Sequence, residues 1–266
     1  EPPRRNWRID WIVLAACLTL TIAATLHMKQ SVDRAKEEEF SSHCTEAQHQ
    51  IVGRLYDHAR ILRSGAAYFN ASDTVTREEW RIYNHLQKLE QQLPGIQGIG
   101  FSLLIPRKEL TGHIQKIRSE GFPEYKITPE GDRESYTSII YLEPFDWRNQ
   151  RAFGYDMFSE PVRREAMERA RDIDIASLSG KVLLVQETGE DVQAGNLIYV
   201  PVYRKNMPIE TIEQRRAAIY GWVYSPYRMN DLMNGILHVR DLPKEEGICL
   251  QVFDGNSPSP QNLLYE

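Results

Sequence analysis

The sequence predicts an α+β chain in which one long N-terminal helical region precedes a mostly antiparallel sheet. Three observations carry this. Trp11 to Met28 holds no formal charge over 18 residues. Gln30 to Phe69 contains no proline, and glycine only at Gly53 and Gly65. After Pro94-Gly95 the chain turns to short β-rich runs separated by single helices, without the strict strand-helix alternation that a parallel sheet requires.

At 1.5 Å per residue the charge-free run spans roughly 27 Å, enough for a slightly thinned hydrocarbon core. Trp7 and Trp11 stand where interfacial aromatics belong. A cleaved signal peptide competes, because Leu14-Ala15-Ala16-Cys17 resembles a lipoprotein cleavage box. The apolar run continues past Cys17, which favours a retained transmembrane helix. Arg4, Arg5 and Arg8 before the span balance Lys29, Arg34 and Lys36 after it, so charge alone does not orient it. Long domains translocate largely regardless of charge. The expectation is therefore a cell inner-membrane anchor with residues 29–266 extracytoplasmic, in the periplasm. The chain begins at Glu1 rather than Met and reads as a piece of a longer protein.

Beyond the span, Phe40, Cys44, Ala47, Ile51, Leu55, His58 and Leu62 recur at 3–4 spacing and lay a stripe on one helix face. That stripe needs a partner: the rest of the chain, a second copy in a parallel homodimer, or both. Asn70 to Asp73 breaks the helix, and Thr76 with Glu79 makes a capping box for a second helix, Arg77 to Leu93. Strands are expected at Ile96–Ile105, Ser138–Leu142, Val182–Gln186, Leu197–Tyr203, Ala218–Val223 and Ile248–Phe253. Helices are expected at Arg107–Ser119, Pro161–Arg171 and Tyr227–Leu237. The polar stretch Arg204–Arg216 reads as a linker between two units.

Composition excludes several function classes. The net charge is −5, with no Lys/Arg-rich run interleaved with aromatics, so nucleic acid is not an expected partner. Of three cysteines, Cys17 lies in the span, leaving Cys44 and Cys249 either bridged or, the favoured reading, separate thiols. His43, Cys44 and His49 do not share a helix face with tetrahedral reach, so no metal site is expected. The glycine-rich run at 94–100 precedes a strand instead of following one, and Gly180-Lys181 lacks the upstream glycine of a phosphate loop. No catalytic residue and no cofactor is expected within this chain.

Gly154 to Arg171 reads GYDMFSEPVRREAMERAR. Ser159 is the expected N-cap of the helix that follows, with Glu160 and Pro161 in its first turn. Arg163, Arg164, Arg169 and Arg171 read as a solvated face paired with Glu165, Glu168 and Asp172. Asp156 has two readings. It accepts backbone N–H bonds in its loop, or it stands at the mouth of a pocket lined by Phe153, Tyr155, Met157 and Phe158 and accepts hydrogen bonds from the edge of a flat, mainly apolar ligand.

Four segments in order carry a resemblance: Pro94 to Phe101, Gly154 to Glu187, Asn196 to Arg204 (NLIYVPVYR) and Ala218 to Met233 (AIYGWVYSPYRMNDLM). Over roughly residues 55 to 253 the chain resembles the CHASE family of extracellular sensor domains, which cap transmembrane histidine kinases and cyclases. The resemblance implies two PAS-like subdomains in a dimeric receptor, with the ligand in the membrane-distal one. In the family's plant cytokinin receptors an aspartate of an LDMxS segment pairs with the adenine edge, which implies that role for Asp156. Counting on without a gap places the ligand-contacting leucine at Leu178. Glu160-Pro161 and the longer segment Thr188–Ala194 depart from the plant pattern and alter the pocket rim.

The implied organisation is a cytoplasmic tail (1–10), the span (11–28), the long signalling helix with a second helix (29–93), a distal PAS-like subdomain (94–205) and a truncated proximal one (206–266). The implied function is the sensing region of a sensor histidine kinase in a two-component system, binding an adenine or cytokinin-like molecule. A diguanylate cyclase sensor and a ligand-independent dimerisation module are the alternatives.

Overall fold

The computed structural model describes residues 7–88, 95–189, 191–237 and 249–266. It divides into two units, Glu1–Gln50 and Ile51–Glu266. The described part of the first is the N-terminal part of α1 (Trp7–Ala71), an α-helix of 65 residues in which the charge-free run and the following polar helix are joined without a break. The apolar part is long and apolar enough to cross a membrane, with mean hydropathy 2.0 over its best window and none of that window buried. Three of its hydroxyls are satisfied within the helix. Thr19, Thr21 and Thr25 each donate a hydroxyl hydrogen bond at 2.8 Å to the carbonyl four residues back, as a hydroxyl must where water is absent.

In the second unit the remainder of α1 buries His58, Leu62, Gly65, Ala66 and Phe69, a stripe at helical spacing. Gly65 permits close approach, since a Cβ there would stand 3.2 Å from both Trp80 and Val223 side chains. The helix α2 (Arg77–Leu86) opens on the expected capping box: Glu79 N–H donates to Thr76 Oγ1 at 3.2 Å and Thr76 N–H to Glu79 Oε2 at 2.8 Å. The expected continuation to Leu93, and the stop at Pro94, fall largely outside the described residues.

Five strands, β1 (Ile99–Pro106), β2 (Ser135–Glu143), β3 (Ser177–Leu178), β4 (Gly195–Tyr203) and β5 (Ile219–Arg228), form one antiparallel sheet in the order β2-β1-β5-β4-β3. Between and after them lie α3 (Leu110–Ser119), α4 (Pro161–Ile173), α5 (Ile212–Ala218), α6 (Met229–Leu237) and a separate pair, β6 (Val252–Phe253) with β7 (Leu263–Tyr265). The mixed class and the antiparallel pairing are as the sequence predicts.

Two expectations are corrected. Val182–Gln186 is not a strand: it holds one bridge, Val182 to Gly195, and buries Val182 and Leu184 as a loop covering the core. Its apolar character reflects burial, which a loop shares with a strand. Arg204–Arg216 does not separate two units. It joins neighbouring strands β4 and β5, paired from Gly195–Arg228 to Tyr203–Ile219, and contains α5 with its own capping box from Thr211 and Gln214. Polar composition there marks the exposed end of a hairpin. Of the expected last strand, Ile248 lies outside the described residues. Cys44 and Cys249 are free and exposed.

Strand alternation sends side chains to two cores. One face carries Phe101, Val200, Val202 and Val223 against Leu62, Phe69 and Trp80, and against Leu232, Met233 and Ile236 of α6. The other carries Ile139, Leu142, Tyr199, Trp222 and Tyr224 against Ala166, Met167 and Ala170 of α4. Trp222 Nε1 donates to Met167 O at 2.9 Å, fixing α4 to the centre of the sheet.

On the first face His58 stacks on Tyr227, with ring centroids 5.1 Å apart. Burial, helped by Arg54 and opposed by Asp57, lowers the imidazole pKa from 6.5 to about 4. Between those values the unfolded chain binds more protons than the folded one, so stability rises with pH and is progressively lost as pH falls from 6.5 towards 4. The loss amounts to about 3 kcal/mol for this group alone. His113, lowered to about 4 by burial and by Lys116, acts in the same direction. Melting temperatures between pH 7 and 4 should therefore fall less steeply for His58→Phe than for the wild type. Equal slopes would show that His58 is not held neutral by the fold.

Candidate functional site

The turn before α4 is set by Gly154, whose φ of +84° is open to glycine at little cost. A Cβ there would lie 2.2 Å from Lys126 O. The turn sends adjacent aromatics to different places. Phe153 packs with Phe122 and Tyr125 at 4.9 and 5.0 Å, beneath the Arg77 guanidinium. Tyr155, Met157 and Phe158 join the α4-covered face.

Asp156 is 0% exposed. Its Oδ1 accepts from Thr137 N at 2.8 Å, Thr137 Oγ1 at 3.0 Å and Phe158 N at 3.2 Å, and its Oδ2 accepts from Arg133 Nε at 2.8 Å. It caps the 3₁₀ turn Met157–Ser159 and ties that turn to β2. The N-cap of α4 is Glu160 instead of Ser159. Its carboxylate accepts from Val162 N at 3.0 Å and Arg163 N at 2.8 Å, while Pro161 at the first position has no N–H to satisfy. Leu178 stands apart on the edge strand β3, 42% exposed.

Arg163 departs from the expected solvated face. It is 2% exposed, because it shares the sheet-facing stripe of α4 with Ala166, Met167 and Ala170. Its Nη2 donates to Leu183 O at 2.8 Å, its guanidinium carbon lies 4.9 Å from the Tyr155 ring centroid, and Glu160 Oε2 stands 3.9 Å from its Nε. Arg164 and Arg169 do face outward, Arg169 pairing with Glu165 at 3.3 Å.

Two further residues went unremarked in the sequence. Tyr199 and Tyr224 are cross-strand partners, fully buried, with ring centroids 6.2 Å apart. Tyr224 lies across Gly100 of β1, where a Cβ would come within 2.6 Å of its ring and hydroxyl, so only glycine fits. Neither hydroxyl has a hydrogen-bond partner, and neither does Arg163 Nε. Burial pushes both phenols well above their ordinary range, so both stay protonated and available as donors. Strand alternation places both on one face and was the available signal.

The segment Thr188–Ala194, expected to alter the rim, is held by Arg228 at the end of β5. That guanidinium pairs with Glu187 at 2.9 Å and with Asp191 and Asp231 at 2.8 Å. Gln193 Nε2 donates to Asp191 and to Asp231 at 3.1 Å each.

The α4-covered face is thus an aromatic sheet face closed by one helix, with Arg163, Tyr199 and Tyr224 among its buried polar groups. Residues 73–265 match the CHASE domain, and the chain belongs to that family of extracellular sensor domains. Its role is extracellular ligand sensing. No curated protein matches the chain. Among solved structures it is similar to the ligand-binding domain of the Pseudomonas aeruginosa PAO1 amino acid chemoreceptor PctC in complex with GABA. The two share 9% identity with a TM-score of 0.42, over 73% of this chain and 66% of that one.

Proposed function

We propose that this chain is the periplasmic sensing region of a transmembrane receptor, a sensor histidine kinase of a two-component system anchored in the inner membrane. The observation that carries the reading is the CHASE match beginning at residue 73, directly after a helix whose apolar section is uncovered. Phe40 of the α1 stripe is 54% exposed, which supports a second copy of the chain packing along it.

The ligand is held on the α4-covered face, where Tyr155, Met157 and Phe158 meet. Phe153 and Leu178 do not reach that face and carry no role in this reading. An adenine-type heterocycle is accommodated by exchange. Its amine takes Asp156 Oδ2 from Arg133, the more exposed partner at 22%. A tenfold shift of an evenly poised receptor needs about 1.4 kcal/mol of differential binding, within the range of one charge-assisted hydrogen bond.

The test is a thermal-shift screen of adenine, N6-alkyl adenines and unrelated heterocycles on the chain in detergent, repeated on Arg133→Ala and referred to each protein's own baseline. An adenine should stabilise the wild type and stabilise Arg133→Ala more, because displacement no longer opposes it. Silence of every purine in both proteins would remove the adenine assignment. Silence of every small molecule would replace the sensor by an interaction module.

A further inference from the structure

We infer that Arg163, Tyr199 and Tyr224 together recognise a carboxylate on the ligand at the centre of the α4-covered face. The inference rests on the reading that this face holds the ligand, and it names the chemistry.

The three side chains come from three elements. Tyr199 from β4 and Tyr224 from β5 stand side by side, and Arg163 comes down from α4 onto the same core. The Arg163 guanidinium lies over Tyr155, which packs on the same cluster as both phenols. Arg163 Nε and both hydroxyls are buried and without a hydrogen-bond partner. Each such orphan costs about 1–3 kcal/mol; others lie on the opposite face, at Trp80 Nε1 and Tyr227 OH. Three on one face mark a position for a polar group that the fold itself does not provide.

The donor set fixes what that group is. A guanidinium only donates, and protonated phenols donate readily, so the group accepts. It is negative, because the ion pair of Arg163 with Glu160, at 3.9 Å, is too long for a hydrogen bond and leaves Nε without an acceptor. That carboxylate already accepts from Val162 N and Arg163 N. A flat carboxylate offers two oxygens to three donors and forms charge-assisted bonds. A phosphate, with more oxygens to satisfy, is matched less well. Since all three groups are enclosed, a ligand reaches them only when α4 or the Gly154–Glu160 turn moves off the sheet, which couples binding to a change of arrangement.

The experiment is isothermal titration calorimetry on the chain in detergent with acetate, butyrate, succinate, benzoate and phenylacetate, each against its amide, for the wild type, Tyr199→Phe and Tyr224→Phe. At least one acid should bind, its amide at least tenfold more weakly. Each phenylalanine variant should lose about tenfold in affinity for the acid. The same variants without ligand should melt at or above the wild-type temperature, because each removes an unpaired buried hydroxyl. Equal binding of acid and amide, wild-type affinity in both variants, or a drop of several degrees in their melting would overturn the inference. If neutral heterocycles bind, unaffected by either variant, while no acid does, the carboxylate assignment fails and the α4-covered face stands. If nothing binds, both fail.

Discussion

Asp156→Ala is expected to lower stability by about 3 kcal/mol, a fall in melting temperature of about 6–12 °C for a unit of this size. The carboxylate is wholly enclosed and holds four donors. Its loss leaves the buried Thr137 N–H without its acceptor and uncaps the turn that starts α4. Phe158 N keeps Thr137 Oγ1 at 2.8 Å, and Arg133, partly exposed, can turn to water, so neither adds much. Asp156→Asn preserves the shape and one acceptor oxygen and should lose less than half as much. A carboxylate acting only as a free ligand contact would give the opposite result, weakened binding with an unchanged melting temperature. A melting temperature of Asp156→Ala within a degree of the wild type would therefore contradict the structure around this residue. The same reasoning governs binding experiments: loss of ligand in Asp156→Ala reports on the turn as much as on the site, and Asp156→Asn with Arg133→Ala separates the two.

Local physics was legible in the sequence where it was local in fact. The Thr76/Glu79 capping box, the continuous proline-free α1 and the outward Arg169 all follow from residues within a turn or two of one another. Asp156 was not legible in the same way, because its partners Thr137 and Arg133 lie 19 and 23 residues upstream and are brought to it by the pairing of the turn with β2. The divergence of Phe153 from Tyr155 hangs on one glycine with positive φ, a conformation that composition does not announce. Arg163 was missed for a different reason. Its residue type points to solvent, whereas Arg163, Ala166, Met167 and Ala170 have the i, i+3, i+4, i+7 spacing of a buried stripe. The polar connection between β4 and β5 misled because a hairpin end and an interdomain linker share a composition and differ only in what their flanking strands pair with.

Arg228→Met should destabilise the fold by about 3–5 kcal/mol, the usual result of stranding a buried charge. Arg228 and Glu187 have side chains only 7% and 4% exposed, and their 2.9 Å pair is the anchor by which the 187–193 segment is held against β5. Removing the cation leaves the Glu187 carboxylate enclosed without a counter-charge, whereas Asp191, 73% exposed, turns to solvent at little cost. Asp231, 34% exposed, keeps Gln193 as a donor at 3.1 Å. The stranded charge, more than lost packing, is thus the dominant effect, and a second substitution can isolate it. Arg228→Met combined with Glu187→Gln should recover most of the loss, giving a coupling of about 2 kcal/mol or more in a double-mutant cycle. A double variant no more stable than Arg228→Met alone would place the loss in packing at the β5–α6 junction instead.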